Sequence, residues 1–111
     1  MADGRALGVA DGIVRARYRD GTGLPEPITP GQVYEYSIDL IATSQVFKAG
    51  HRVRVDIASS NFPCFDRNPG NGASAASATE QDFVVAEQTI CHDAAHPSSV
   101  TLPVIPRAAE P

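Results

Sequence analysis

An all-β fold, a β-sandwich, is predicted by three observations. Apolar and polar residues alternate with a period of two in several short stretches, Gly- and Pro-rich connections separate those stretches, and no window carries an uninterrupted 3.6-residue apolar stripe with caps. The first alternating stretch sets Val14, Ala16 and Tyr18 against Ile13, Arg15 and Arg17. The second sets Tyr34, Tyr36, Ile38 and Leu40 against Glu35, Ser37 and Asp39. Between them, residues 21–31 are punctuated too densely by Gly and Pro for a regular element, and they read as a surface connection.

The third stretch follows a turn at Ala49 and Gly50. Val53, Val55 and Ile57 fall on one face, expected to be core, while Arg52, Arg54 and Asp56 fall on the other. The nine residues from Asn61 to Pro69 then hold Phe62, Phe65, Pro63, Pro69 and the adjacent Asp66 and Arg67, too many bulky groups for a passive linker. Residues 70–81 have the opposite texture, Gly, Asn, Ala, Ser and Thr without a large apolar side chain, and predict a flexible loop. Residues 83–92 and 99–105 supply two more β segments, with Pro97 and Pro103 at strand ends, edges or bulges because neither has an N–H to donate.

A chain of 111 residues accommodates one domain, spanning 1–111, with a small core. Its hydrophobic content of 42% and charged content of 20% are those of a globular protein, and its net charge of −4 provides no basic footprint for nucleic acid or anionic lipid. No apolar run approaches the roughly 20 residues of a membrane span, and the first residues lack the pattern of a signal peptide. The expectation is a soluble, cytoplasmic protein with neither nucleic-acid nor membrane partners. If the alternating stretches lie side by side, Arg15, Arg17, Arg52 and Arg54 face Glu35, Asp39 and Asp56, each exposed pair contributing about 0.2 to 1 kcal/mol. Cys64 and Cys91 have no spacing signature of a bridge, though one is possible, and read as two buried or half-buried thiols.

Three chemistry-bearing patterns were weighed and set aside. His92 and His96 are four apart with Asp93 after the first, but that spacing brings two imidazoles together only on a helix, and Pro97 follows at once. Gly70, Gly72 and the residues around them match a loose dinucleotide fingerprint without the flanking strand and helix it needs. No Gly-x-Ser-x-Gly elbow occurs, so Ser59, Ser60, Ser74 and Ser77 are not read as nucleophiles, and His51 reads as a turn residue. The sequence therefore predicts no catalytic residue, no cofactor and no metal site, and no turnover by the chain alone.

Five runs, in order, carry a family resemblance: Gly12-Ile-Val-Arg-Ala-Arg-Tyr-Arg19, Thr29-Pro-Gly-Gln-Val-Tyr-Glu-Tyr36, the run from Phe47 to Asn68, Gln88-Thr-Ile-Cys-His-Asp93, and His96-Pro-Ser-Ser-Val-Thr-Leu-Pro-Val-Ile-Pro106. Together they resemble the C-terminal domain of the CocE/NonD group of serine hydrolases, typified by bacterial cocaine esterase, α-amino acid ester hydrolase and X-Pro dipeptidyl-peptidase. The resemblance implies a jelly-roll β-sandwich of galactose-binding-like type. It also implies an acyl or peptide hydrolase whose Ser, Asp and His sit on a separate α/β-hydrolase domain, so no catalytic residue carries over to this chain. In the family, the segment corresponding to residues 3–7 lies after earlier strands, and the sandwich is expected to lack its first strands. The implied partner is the hydrolase domain, in cis or in trans, or another copy of the chain. A free-standing carbohydrate-binding module and a structural oligomer are the alternatives; the absence of Trp and an aromatic content of 6% disfavour the first. Candidate interdomain or substrate-entrance contacts are His51, Arg52, Asn61, Phe62, Phe65, Asp66, Arg67 and Asn68. The competing reading of that loop is structural: Phe62 and Phe65 plug the end of the sandwich, and Asp66 pairs with Arg67 or caps backbone donors.

Overall fold

A computed structural model of the chain describes residues 4–21 and 23–106. The start of the 3–7 segment, Thr22 in the first connection, and residues 107–111 of the domain span lie outside the described residues. The backbone divides into two units, Met1–Ala58 and Ser59–Pro111. Its regular elements, among the described residues, are two 3₁₀ turns, Ala16–Tyr18 and Glu80–Asp82, one in each unit.

In Met1–Ala58, the first alternating stretch is extended up to Arg15, at φ −89° and ψ 125°, and then tightens. The Tyr18 N–H donates to the Arg15 carbonyl at 2.8 Å, closing the turn. What ends the extended run is Arg19. Its guanidinium donates to the Ala16 carbonyl at 3.2 Å and to the Glu26 carbonyl at 2.8 Å, and pairs with the Glu26 carboxylate at 3.2 Å. The Glu26 N–H in turn donates to the Arg17 carbonyl at 2.8 Å. One arginine thus ties the turn to the middle of the Gly- and Pro-rich connection, and local hydrogen bonds take the place of continued extension at Ala16. The expected face survives in part, since Val14, Ala16 and Tyr18 are half-buried while Ile13 and Arg15 are exposed.

Two glycines show why they are glycine. A Cβ at Gly12 would collide with the Asp39 carbonyl oxygen and lie 2.9 Å from Ile38 Cγ2, so the backbone at Gly12 approaches Ile38 and Asp39 too closely for any side chain. The Ile41 N–H points to the Asp11 carbonyl at 3.5 Å along the same approach. Gly50, at φ 80°, stands before the His51 N–H that donates to the Lys48 carbonyl at 3.0 Å. That is the third position of a type II turn, where only a residue at ease with positive φ fits, and it places the turn read at Ala49 and Gly50.

Val53, Val55 and Ile57, expected to be core, are 57–58% exposed, whereas Tyr36, Ile38 and Leu40 of the second run keep 38–44%. Among the described residues the fully buried side chain is Pro69, and no large hydrophobic side chain is buried. The alternation therefore does not translate into burial within this chain. Arg54 does keep to the opposite side of the pattern in one respect, donating to its neighbour Asp56 at 2.7 Å.

In Ser59–Pro111, residues 70–81 form a series of hydrogen-bonded turns. Asn68 and Asn71 each accept through Oδ1 from the N–H two residues on, Gly70 at 3.0 Å and Ala73 at 2.9 Å. The Asn71 side-chain amide donates to the Asp82 carbonyl at 3.0 Å, and the Val84 N–H donates to the Pro69 carbonyl at 2.8 Å. These bonds pin both ends of the segment beside each other and enclose Pro69.

Candidate functional site: an arginine between two rings

The Asn61 to Asn68 loop is built around a single turn, the Phe65 N–H donating to the Asn61 carbonyl at 3.1 Å, with a cis peptide between Phe62 and Pro63. That turn sets the Arg67 guanidinium 5.6 Å from the Phe62 ring centroid and 4.7 Å from that of Phe83. Both separations are within reach of cation–π attraction, of about 0.5 to 1 kcal/mol at exposed sites. Around the three side chains lies a cavity of about 340 Å³, lined also by Asp66, Ala75, Ala78, Thr79 and Glu80. Asp66 shares this lining but forms no ion pair with Arg67 among the described residues, so the pairing weighed from sequence is replaced by ring stacking.

Thr79 and Asp82 position the far wall. The Asp82 carboxylate accepts from the Thr79 N–H at 2.7 Å and from its hydroxyl at 2.8 Å, while the Asp82 N–H donates to the Thr79 carbonyl at 3.0 Å. The backbone bond first, and the hydroxyl second, hold the Asp82 carboxyl below the usual carboxylate range. This reciprocal arrangement is the capping-box pattern on one short turn, and it places Glu80 in the cavity lining and Phe83 under Arg67.

Of the residues singled out from sequence, Phe62, Asp66 and Arg67 are brought together at the cavity. Asn61 and Asn68 shape its loop through the backbone and turn bonds given above. Phe65 is 41% exposed and Phe62 65% exposed. His51 and Arg52 are exposed and belong to the other unit, Met1–Ala58. Sequence reasoning missed Thr79, Glu80 and Phe83; the Thr79-x-x-Asp82 spacing, followed at once by an aromatic, is the signal that marks them.

A second cluster missed from sequence surrounds Arg19, whose side chain is 11% exposed. It also pairs with Asp20 at 3.3 Å and lies 4.5 Å from the Tyr34 ring centroid. The Tyr34 hydroxyl accepts the Thr29 N–H at 2.9 Å, and the Thr29 bonds, with a smaller contribution from the Arg19 charge, lower its pKa. This cluster is a brace for the turn rather than a site, because its charges are already matched within the unit.

Cys64 and Cys91 are free thiols. No helix among the described residues is long and apolar enough to cross a membrane.

The sequence matches, over residues 1–101, the family described as the X-Pro dipeptidyl-peptidase C-terminal non-catalytic domain. The chain belongs to that family, the C-terminal domain of the CocE/NonD hydrolase group. It is 45% identical over 105 residues to the cocaine esterase of Rhodococcus sp. (strain MB1 Bresler), which covers 95% of this chain and 18% of that protein. It is 39% identical over 44 residues to proteins named serine esterases in Mycobacterium bovis and Mycobacterium tuberculosis, covering 40% of this chain and 7% of each. The chain thus spans less than a fifth of the length of these relatives. No solved structure matches it.

Proposed function

We propose that this chain is a jelly-roll-type β-sandwich domain that supports the α/β-hydrolase domain of an ester or peptide hydrolase, and that the Arg67 face is where the two meet. The observation that carries this reading is the state of Arg67. Its guanidinium is held against two ring faces and forms no ion pair among the described residues, while Asp66 and Glu80 share the cavity lining, so its donor fork is open to an acceptor group on a partner. A preorganised arginine beside an exposed aromatic, at the centre of a concave patch, is the arrangement that dominates the energy of protein interfaces. The uncovered Val53, Val55 and Ile57 favour the same reading, since a partner that buries them completes the core their alternation prescribes.

The partner proposed is the hydrolase domain of the CocE/NonD group, in cis or in trans. Without it, the same apolar stretches favour association with a second copy. The test uses the hydrolase portion of a relative of this group from which the C-terminal domain has been removed. Adding the chain is expected to lengthen the thermal half-life of its esterase activity, and Arg67→Ala is expected to abolish most of that protection. Equal half-lives with and without the wild-type chain would overturn the proposal.

A further inference from the structure

We propose that Cys91, Asp93 and His96 form a binding site for a borderline-soft divalent cation of the Zn²⁺ type. The Cys91 sulfur, an Asp93 carboxylate oxygen and an His96 ring nitrogen all lie within 4.8 Å of one another. Thiolate, imidazole and carboxylate together are a donor set for zinc, whereas Mg²⁺ and Ca²⁺ take oxygen ligands. His92 and His96, four apart, would need a helix to bring their imidazoles together. The loop instead substitutes the Cys91 thiol for the His92 ring, and no helix is needed.

The local hydrogen bonds hold these donors in place. Asp93 Oδ1 accepts the N–H groups of Ala95 at 2.8 Å and His96 at 2.9 Å, which folds residues 93–96 back over the carboxylate. Its other oxygen has no protein partner among the described residues and is left for an ion. His96 Nδ1 lies 3.7 Å from Asp93 Oδ1, and the Ser98 hydroxyl donates to the Cys91 carbonyl at 2.5 Å, anchoring the backbone of the thiol-bearing residue. Such outer bonds to ligating residues are what orient a metal site.

Tetrahedral zinc, with bonds of about 2.0 to 2.3 Å, sets ligand atoms about 3.3 to 3.6 Å apart. Side-chain rotations that move each donor by roughly an ångström therefore close the site. Cys91 is half-buried and the other two are exposed, which leaves an open path for the ion. Three protein ligands leave a fourth position for water, and binding releases the thiol proton to solvent as the sulfur–metal bond forms.

Titrating the reduced full chain with Co²⁺ tests this directly. The expected result is a thiolate-to-cobalt charge-transfer band saturating at one ion per chain, lost in Cys91→Ser, kept in Cys64→Ser, and shifted to about tenfold or more higher Co²⁺ in His96→Ala. On the wild-type chain, Zn²⁺ is expected to protect Cys91 from iodoacetamide while Cys64 stays reactive, read by peptide mass spectrometry; this arm needs no variant to fold. No band and equal alkylation of both thiols would overturn the proposal, as would a band that follows Cys64.

Discussion

Arg67 is the residue on which the functional reading rests, and its partners predict how it fails. Arg67→Lys keeps the charge but loses the planar fork that stacks on Phe62 and Phe83. It is expected to protect the hydrolase portion less than the wild type does, whereas Phe65→Ala, outside the cavity lining, is expected to protect as well as the wild type. Asp82 gives a prediction in pH. Its folded-state pKa is depressed by the Thr79 bonds, so its contribution to the Glu80–Asp82 turn is complete above the unfolded carboxylate value of 3.8 and is lost as pH falls through the lower folded value. The Thr79 amide resonance should therefore move in that acid range and lose the dependence in Asp82→Asn. Gly12 gives a prediction in packing. Gly12→Ala forces a Cβ against Asp39 and Ile38, and an overpacking cost of about 1 to 3 kcal/mol should appear as a lowered denaturant midpoint.

At the level of elements, the turns were legible where a single residue dictates them. Gly50 announces its turn by composition, and the Asn61 to Pro69 loop announces a packed cluster by its crowding of rings and charges, Phe62 and Arg67 of which meet in the structure. The end of the first extended run at Ala16 was not legible, because it depends on Arg19 reaching Glu26 across a connection whose path no periodicity encodes. The wall formed by Thr79, Glu80 and Phe83 was hidden for a related reason. Its Asx turns and capping box are built from the same small polar residues that compose a flexible loop, and only the three-residue spacing separates the two. The Val53, Val55 and Ile57 face supplies a further test. In a complex that covers this face, Ile57→Ala is expected to destabilise by about 2 to 5 kcal/mol and Arg54→Ala by about 0.5 or less, read from unfolding midpoints. The reverse order would invert the two faces.

For the whole molecule, the family was legible in five runs spread over the chain, and the match over residues 1–101 bears that out. Membership in a non-catalytic domain family, together with the lack of a Gly-x-Ser-x-Gly elbow, predicts no turnover of a p-nitrophenyl ester or an X-Pro chromogenic amide by the purified chain. Turnover abolished by Ser59→Ala or Ser60→Ala would contradict that. The role proposed for this chain is to dock on a hydrolase domain of its group. Isothermal titration of the chain into the hydrolase portion of a CocE/NonD relative lacking its C-terminal domain tests it most directly. The expected result is a saturable one-to-one complex with the negative heat-capacity change of apolar burial, weakened about tenfold or more, near 1.4 kcal/mol, in Arg67→Ala. No heat of binding, from a chain that stays monomeric at micromolar concentration and unfolds cooperatively by itself, would contradict it.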